Sequence, residues 1–297
     1  MTPNFRPLSF GEILDGAFTL YRRNFRLFIG TSLLLMLGVG VGMVVVGGTG
    51  VAAASVMPAP LNVLVIVMVM VAVAAMLTML GSTLTWQAAQ SYAGKPVSLG
   101  DSVSAAGAAA MTLVGAGLIA FFTLFVAMIA VYLAALLFIG ILSVLNVAAL
   151  TVIGGGVAVL GALAALFAVG SLFMGVLPAV MVEDKGPLQA VLRSVELARG
   201  DLPRITCVLF VTMVIVWLPS LAVAAVTGGF EQLANPQAAL AAQDDGTWLE
   251  QMLGWMGAAL TLPFLPAVLV LLYYDRRVRT EALDVQLLTE QLGVAGA

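Results

Sequence analysis

Uncharged apolar runs recur six times along the chain, at about 27–46, 61–86, 112–137, 147–177, 205–226 and 253–273. Crossing a bilayer as a helix takes roughly 20 residues, so each run predicts a transmembrane helix. The fourth carries Gly154, Gly155, Gly156, Gly161 and Gly170, and these predict a span that is tilted, kinked or preceded by a re-entrant turn, with a flexible break at the glycine triplet. Between the runs lie short polar segments with helical periodicity. In residues 7–26, Phe10, Ile13, Leu14, Ala17, Phe18, Tyr21 and Phe25 share one predicted face, opposite Glu12, Asp15, Thr19, Arg22 and Arg23. Ser9 and Glu12 have the spacing of a capping box at its start. A second amphipathic helix is predicted at 187–200, with Leu188, Val191, Leu192, Val195 and Ala198 on its apolar face and Gly200 as its C-cap. After the last run, Tyr273-Tyr274-Asp275-Arg276-Arg277-Val278-Arg279 reads as an aromatic belt with a stop-transfer cluster. A short helix with Leu283, Val285, Leu287, Leu288 and Leu292 follows.

The basic residues set an orientation. Arg6, Arg22, Arg23, Arg26, Lys95, Lys185, Arg193, Arg199, Arg204, Arg276, Arg277 and Arg279 are all the Lys and Arg of the chain. With six spans they fall on one side, and Glu231, Asp244, Asp245 and Glu250 fall on the other. The positive-inside rule then puts both termini in the cytoplasm. The amphipathic stretch ahead of the first run argues against a cleaved signal peptide.

An internal repeat is also legible. Pro7-Leu8-Ser9-Phe10-Gly11-Glu12 matches Pro96-Val97-Ser98-Leu99-Gly100-Asp101, and Leu20-Tyr21-Arg22-Arg23-Asn24-Phe25 resembles Leu197-Ala198-Arg199-Gly200-Asp201-Leu202. The pattern predicts three units, about 1–89, 90–178 and 179–297, each an amphipathic helix followed by a transmembrane hairpin.

Composition agrees with the hydropathy pattern. Of 297 residues, 62% are hydrophobic and 9% charged, against about 25% charged in ordinary soluble domains. Mean hydropathy is +1.13. The chain has no histidine, which removes the commonest general base and metal ligand. Its one cysteine, Cys207, cannot pair within the chain and sits in an apolar run that predicts a small buried hydrophobe. A net charge of −3 argues against a nucleic-acid partner.

Three segments resemble a bacterial family of integral membrane proteins, the glycerophosphoryl diester phosphodiesterase membrane-domain and YciC-like proteins. They are Leu8-Ser9-Phe10-Gly11-Glu12-Ile13-Leu14-Asp15 with Leu20-Tyr21-Arg22-Arg23-Asn24-Phe25; Leu177-Pro178-Ala179-Val180-Met181-Val182-Glu183 with Ala190-Val191-Leu192-Arg193-Ser194; and Tyr273-Tyr274-Asp275-Arg276-Arg277. The resemblance implies a six-span membrane module. It implies no catalysis, because the family's phosphodiesterase chemistry sits in a separate barrel with histidines and metal-binding carboxylates.

Candidate chemistry is sparse. Glu183 and Asp184 are adjacent carboxylates, but no third acid is near in sequence and Lys185 follows, so they read as a solvated loop. Asp244, Asp245 and Glu231 read the same way. Arg22, Arg23 and Arg26 are candidate contacts for anionic lipid, or an orientation signal, and the two roles are compatible. Gly38 with Gly42, and Ser171 with Gly175, have the small-xxx-small spacing of close helix packing. Gly154-Gly155-Gly156 lacks the Gly-Lys-Ser/Thr of a phosphate loop. The runs contain the hydroxyls Thr78, Ser82, Thr83, Thr123, Thr151, Ser171 and Thr212, with Gln87 and Asn146 near span ends, and no charge at mid-depth.

The expectation is an all-α polytopic protein forming a single membrane domain over 1–297 in the bacterial inner membrane. It would be a non-catalytic scaffold, assembly or lipid-interacting subunit. The alternative is a transporter, channel or lipid flippase for an apolar or zwitterionic substrate. An enzyme would need a nucleophile with an activating base, which the spans do not offer. Membrane lipids and other membrane proteins are the expected partners, with no cofactor and no metal.

Overall fold

The computed structural model describes residues 6–42, 58–144, 148–227 and 248–282. These are helical, with no strand among the described residues. In chain order the helices are α1 Phe10–Arg23, α2 Phe25–Gly42, α3 Ala59–Tyr92, α4 Leu99–Ala108, α5 Ala110–Val144, α6 Ala148–Ser171, α7 Val176–Glu183, α8 Pro187–Arg199, α9 Leu202–Thr227, α10 Trp248–Thr261 and α11 Phe264–Glu281.

Among the described residues five segments are long and apolar enough to cross a membrane: Leu61–Tyr92, Ala110–Val144, Val152–Glu183, Leu202–Ala225 and Met252–Glu281. They match the predicted second to sixth runs. The predicted first run appears as α2, whose apolar stretch Phe25–Gly38 is shorter; its predicted end at 46 lies outside the described residues. So do Asn146, Glu231, Asp244, Asp245 and the predicted helix beyond 282. Large apolar side chains such as Phe121, Phe122, Phe125 and Val126 on α5 are exposed. A surface like this suits hydrocarbon and not water.

The chain divides into two compact units. The first comprises Met1–Asn4, Gly11–Ala110 and Val211–Leu271. Here α2 and α4 both pack on α3, and α10 packs on α2. Gly40 lets α2 and α10 approach closely, since a methyl group there would overlap the Trp255 ring. The turn at Asn24 separates α1 from α2, with its side-chain Nδ2 donating to Leu20 O at 3.0 Å. The face that α1 buries is Ile13, Ala17 and Leu20. Phe10, Phe18 and Phe25, placed with Ile13 on the predicted face, are exposed instead. In α9, Pro219 cannot donate to a carbonyl one turn back. The neighbouring Val216 O accepts from Thr261 Oγ1 at 2.9 Å.

The second unit comprises Phe5–Phe10, Met111–Phe210 and Leu272–Ala297. Its core joins Ala116, Val176 and Val191, with Ile119 and Phe173 against them. The glycine-rich stretch of the fourth run does not break. Helix α6 is continuous through Gly154, Gly155 and Gly156, and Gly154 gives room to Leu142 of α5. The break falls at 172–175, where tight turns run from Leu172 N to Val169 O, Phe173 N to Gly170 O and Met174 N to Ser171 O. The cause is Pro178, which has no N–H to donate to residue 174 and whose ring crowds that carbonyl.

Two local expectations are corrected. Cys207 is exposed, because α9 turns Ile205, Val208 and Leu209 inward instead. Helix α8 buries Ala190, Val191, Ser194, Leu197 and Ala198, leaving Leu188 and Leu192 exposed. Its buried stripe is rotated toward small residues, which permit close approach to α7. Gly200 is the C-cap of α8 as the sequence predicts, in a right-handed conformation with φ −71°. A side chain there would have to push the Arg276 guanidinium aside.

Candidate functional site

In the first unit, a buried polar joint ties three helices. Gln87 on α3 is completely buried, and its Nε2 donates to Thr31 Oγ1 on α2 at 2.8 Å and to Ser102 Oγ on α4 at 3.0 Å. The Ser102 hydroxyl donates onward to Ser98 O. Ser98 caps α4 by accepting from Asp101 N at 3.1 Å and donating to Asp101 Oδ2 at 2.6 Å. The second copy of the P-h-S-h-G-acid hexad thus forms a working cap. In an apolar surrounding each such bond matters, because an unmade one costs the desolvation of its group.

The second unit holds the main constellation. Glu183, at the end of α7, accepts from the Tyr273 hydroxyl of α11. Its carboxylate also lies 3.2 Å from Arg277 Nε, 3.4 Å from Arg193 Nε and 3.9 Å from Lys185 Nζ. Arg193 is further paired with Glu281, and Arg277 donates to Glu281 Oε2 at 3.1 Å. Burial pulls the Arg193 guanidinium down, but Glu183 and Glu281 outweigh it and leave the group above its ordinary value. Glu183 is therefore not the solvated loop residue predicted from its sequence neighbours. It is enclosed by cations brought from α8 and α11. The adjacent Asp184 is exposed and takes a left-handed conformation, φ 51°, that closes α7. Beside this cluster, Lys185, Gln189, Leu192, Arg193, Glu196 and Glu281 line an open cleft of about 490 Å³.

A second node centres on Asp275, which is 1% exposed. It accepts from Leu8 N at 2.7 Å, from Arg204 Nη1 at 3.1 Å and from Arg279 Nε at 3.0 Å. Arg204 and Arg279 both donate to Leu8 O, so the backbone of this N-terminal residue is gripped through its N–H and its C=O. Arg276 donates to Leu197 O at 2.9 Å and faces Asp201 at 3.5 Å. The segment 273–279 continues α11, with Tyr273, Asp275 and Arg276 buried.

Between the nodes, Ser194 repairs the break before α7. Its hydroxyl accepts from Gly175 N at 2.8 Å and donates to Leu172 O at 2.7 Å. Ser194→Ala should leave both backbone groups unpaired and cost about 1–3 kcal/mol. Melting of the detergent-solubilised variant checks this, and a melt superimposed on wild type would contradict it.

The sequence-predicted positions fare unequally. Arg22, Arg23 and Arg26 are exposed and make no ion pair among the described residues; Arg22 lies 6.0 Å from the Phe18 ring centre. Among the described residues nothing lies within 4 Å of a Cβ at Gly38, whereas one at Gly40 would meet the Trp255 ring. The side-chain surroundings of Gly42 lie outside the described residues. Ser171 is buried, its hydroxyl donating to Phe167 O at 2.9 Å. Gly175 sits against Tyr273 and Ser194, where a Cβ would come within 3.1 Å and 3.2 Å of them. Ser171 and Gly175 flank the break and do not share one helix face.

Gln87 was visible in the sequence only as a span-end amide. Tyr273 and Asp275 were visible only as part of an aromatic belt and charge cluster, Arg204 only as an orienting charge, and Ser194 only as part of a family-like segment. Asp275 with Arg279 and Arg277 with Glu281 do have i,i+4 spacing, a signal that would have extended α11 through the charged tail. Among the described residues no group of three or more Cys, Asp or Glu is placed to hold a metal ion. Comparison with family models, curated proteins and solved structures returns no match.

Proposed function

We propose that this chain is a non-catalytic integral membrane protein of the bacterial inner membrane, acting as a scaffold, assembly or lipid-interacting subunit. It would cross the membrane six times, with both termini in the cytoplasm. The reading extends the family resemblance of the three sequence segments. The observation that carries it is the use made of the ionisable side chains in the second unit. Glu183, Asp275 and their arginines are engaged with one another and with backbone, which makes them braces. A carboxylate facing two guanidinium groups is poorly placed to carry a proton or a substrate charge. Transporters often place their sites at broken helices, and this chain has one at 172–175. There Ser194 already occupies the freed backbone groups, which favours the scaffold reading over the transporter.

Two measurements test this. In a Cys207→Ser background, cysteines at Gly50 and Leu240 should label from outside. Cysteines at Lys95 and Gln189, both exposed, should label only after permeabilisation. External labelling at Gln189 would break the topology. For function, the chain should co-purify with other membrane proteins from native membrane and give liposome flux no faster than empty vesicles. Turnover of a small substrate by the isolated chain, or flux above that control, would overturn the scaffold reading.

A further inference from the structure

Among the described residues the basic side chains, Arg6 apart, either face a carboxylate or are exposed and face none, and Lys95 and Arg199 are isolated cases of the second kind. Lys185, Arg193, Arg204, Arg276, Arg277 and Arg279 each face a carboxylate. Arg22, Arg23 and Arg26 face none among the described residues, and all are exposed. They sit together at the corner where α1 ends, Asn24 turns the chain and α2 begins. The same corner exposes apolar surface: Phe18 is 51% and Phe25 45% exposed. Tyr21 fixes the corner from within, donating to Leu260 O at 2.8 Å and packing edge-on against Phe25 at 5.5 Å between ring centres. Beyond it α2 exposes Leu33, Leu34, Leu37 and Val41. Along the chain the exposed rings and unpaired cations are interleaved, as Phe18, Arg22, Arg23, Phe25 and Arg26, and the uncharged apolar helix follows them. Basic and aromatic side chains mixed at the start of an apolar helix suit the headgroup and interfacial layers that border hydrocarbon.

The geometry points to a binding site for the phosphate-bearing headgroup of an acidic phospholipid at this corner, formed by Arg22, Arg23 and Arg26 with Phe18 and Phe25 as the interfacial anchors. Guanidinium groups suit phosphate oxygens because they offer paired donors in a fixed plane. Arg22, near the Phe18 face, is positioned by that ring. The inference rests on the membrane placement in the proposed function, but it does not depend on the choice between scaffold and transporter.

The test uses the full chain in bilayer nanodiscs made from equal parts phosphatidylglycerol and phosphatidylcholine. Native mass spectrometry then reads the lipids that stay bound on release. Wild type is expected to retain phosphatidylglycerol preferentially. Each arginine changed to glutamine should weaken that preference about fivefold, so Arg22→Gln with Arg23→Gln and Arg26→Gln should abolish it. Lys95→Gln with Arg199→Gln, which removes exposed charge elsewhere, should leave it intact. Phe18→Ala with Phe25→Ala should shorten lipid retention while keeping the headgroup preference. Excess inorganic phosphate should not displace the lipid. The proposal is overturned if the triple variant, eluting as wild type does, keeps the preference; if the Lys95 and Arg199 control loses as much; or if inorganic phosphate competes. Loss of flux, or its presence, bears on the proposed function and leaves this result unchanged.

Discussion

Asp275→Ala is expected to destabilise the second unit by about 3–5 kcal/mol, the cost of removing one partner from a buried charge network. The side chain is enclosed and holds Leu8 N–H, Arg204 and Arg279 at once. Its loss leaves a backbone donor without an acceptor, strips Arg279 of its carboxylate, and leaves Arg204 with Leu8 O and Asp201 alone. Asp275→Asn should cost less, because the amide oxygen can still accept from Leu8 while the charge facing the arginines is gone. The expected readout is a large fall in melting temperature and in monodisperse yield after detergent extraction. Pairing Asp275→Ala with Arg204→Met should cost clearly less than the two changes summed, since the second removes a charge stranded by the first. Strict additivity, or a wild-type melt for the alanine variant, would show that Asp275 is not the node described.

Ile13→Asp is expected to be at least as damaging. Ile13 is completely buried on α1, so the change removes a large apolar side chain and puts a carboxylate in its place. About 4 kcal/mol or more is lost. Phe18→Asp, five residues along the same helix, should leave folding nearly intact because Phe18 is exposed; its effect should fall on membrane contact. The apolar spacing of α1 put both residues on one face. If the two variants fold equally badly, the buried face is broader than Ile13, Ala17 and Leu20.

The apolar spans were legible in the sequence because hydropathy over a long window tolerates errors of single residues. Finer features were not, for identifiable reasons. The glycine cluster of the fourth run drew attention away from Pro178, although a missing N–H breaks a helix more surely than an absent side chain. On α8 the large residues Leu188 and Leu192 suggested the inward face. Of the predicted face Val191 and Ala198 are buried, and close packing adds Leu197 and the small Ala190 and Ser194 to them. The charged nodes were illegible as pairs because their partners lie far apart in sequence: Leu8 with Asp275, Glu183 with Tyr273, Leu197 with Arg276. In each case the sequence shows a charge at a span border. Only folding shows whether that charge meets water, lipid or another charge.

Helix α5 has a mechanical consequence. Its 35 residues carry no charge and rise about 52 Å, whereas the hydrocarbon of a typical bilayer is only about 30 Å thick. Met111 near one end is 83% exposed and Val144 at the other 82%. Held upright in such a bilayer, the helix would leave several turns of bare hydrocarbon in contact with headgroups and water. Tilting or local thickening of the bilayer relieves this, each at an elastic cost of a fraction of a kcal/mol per ångström of mismatch. The free energy of this protein is thereby tied to acyl-chain length, and it should be better accommodated in thick membranes than in thin ones.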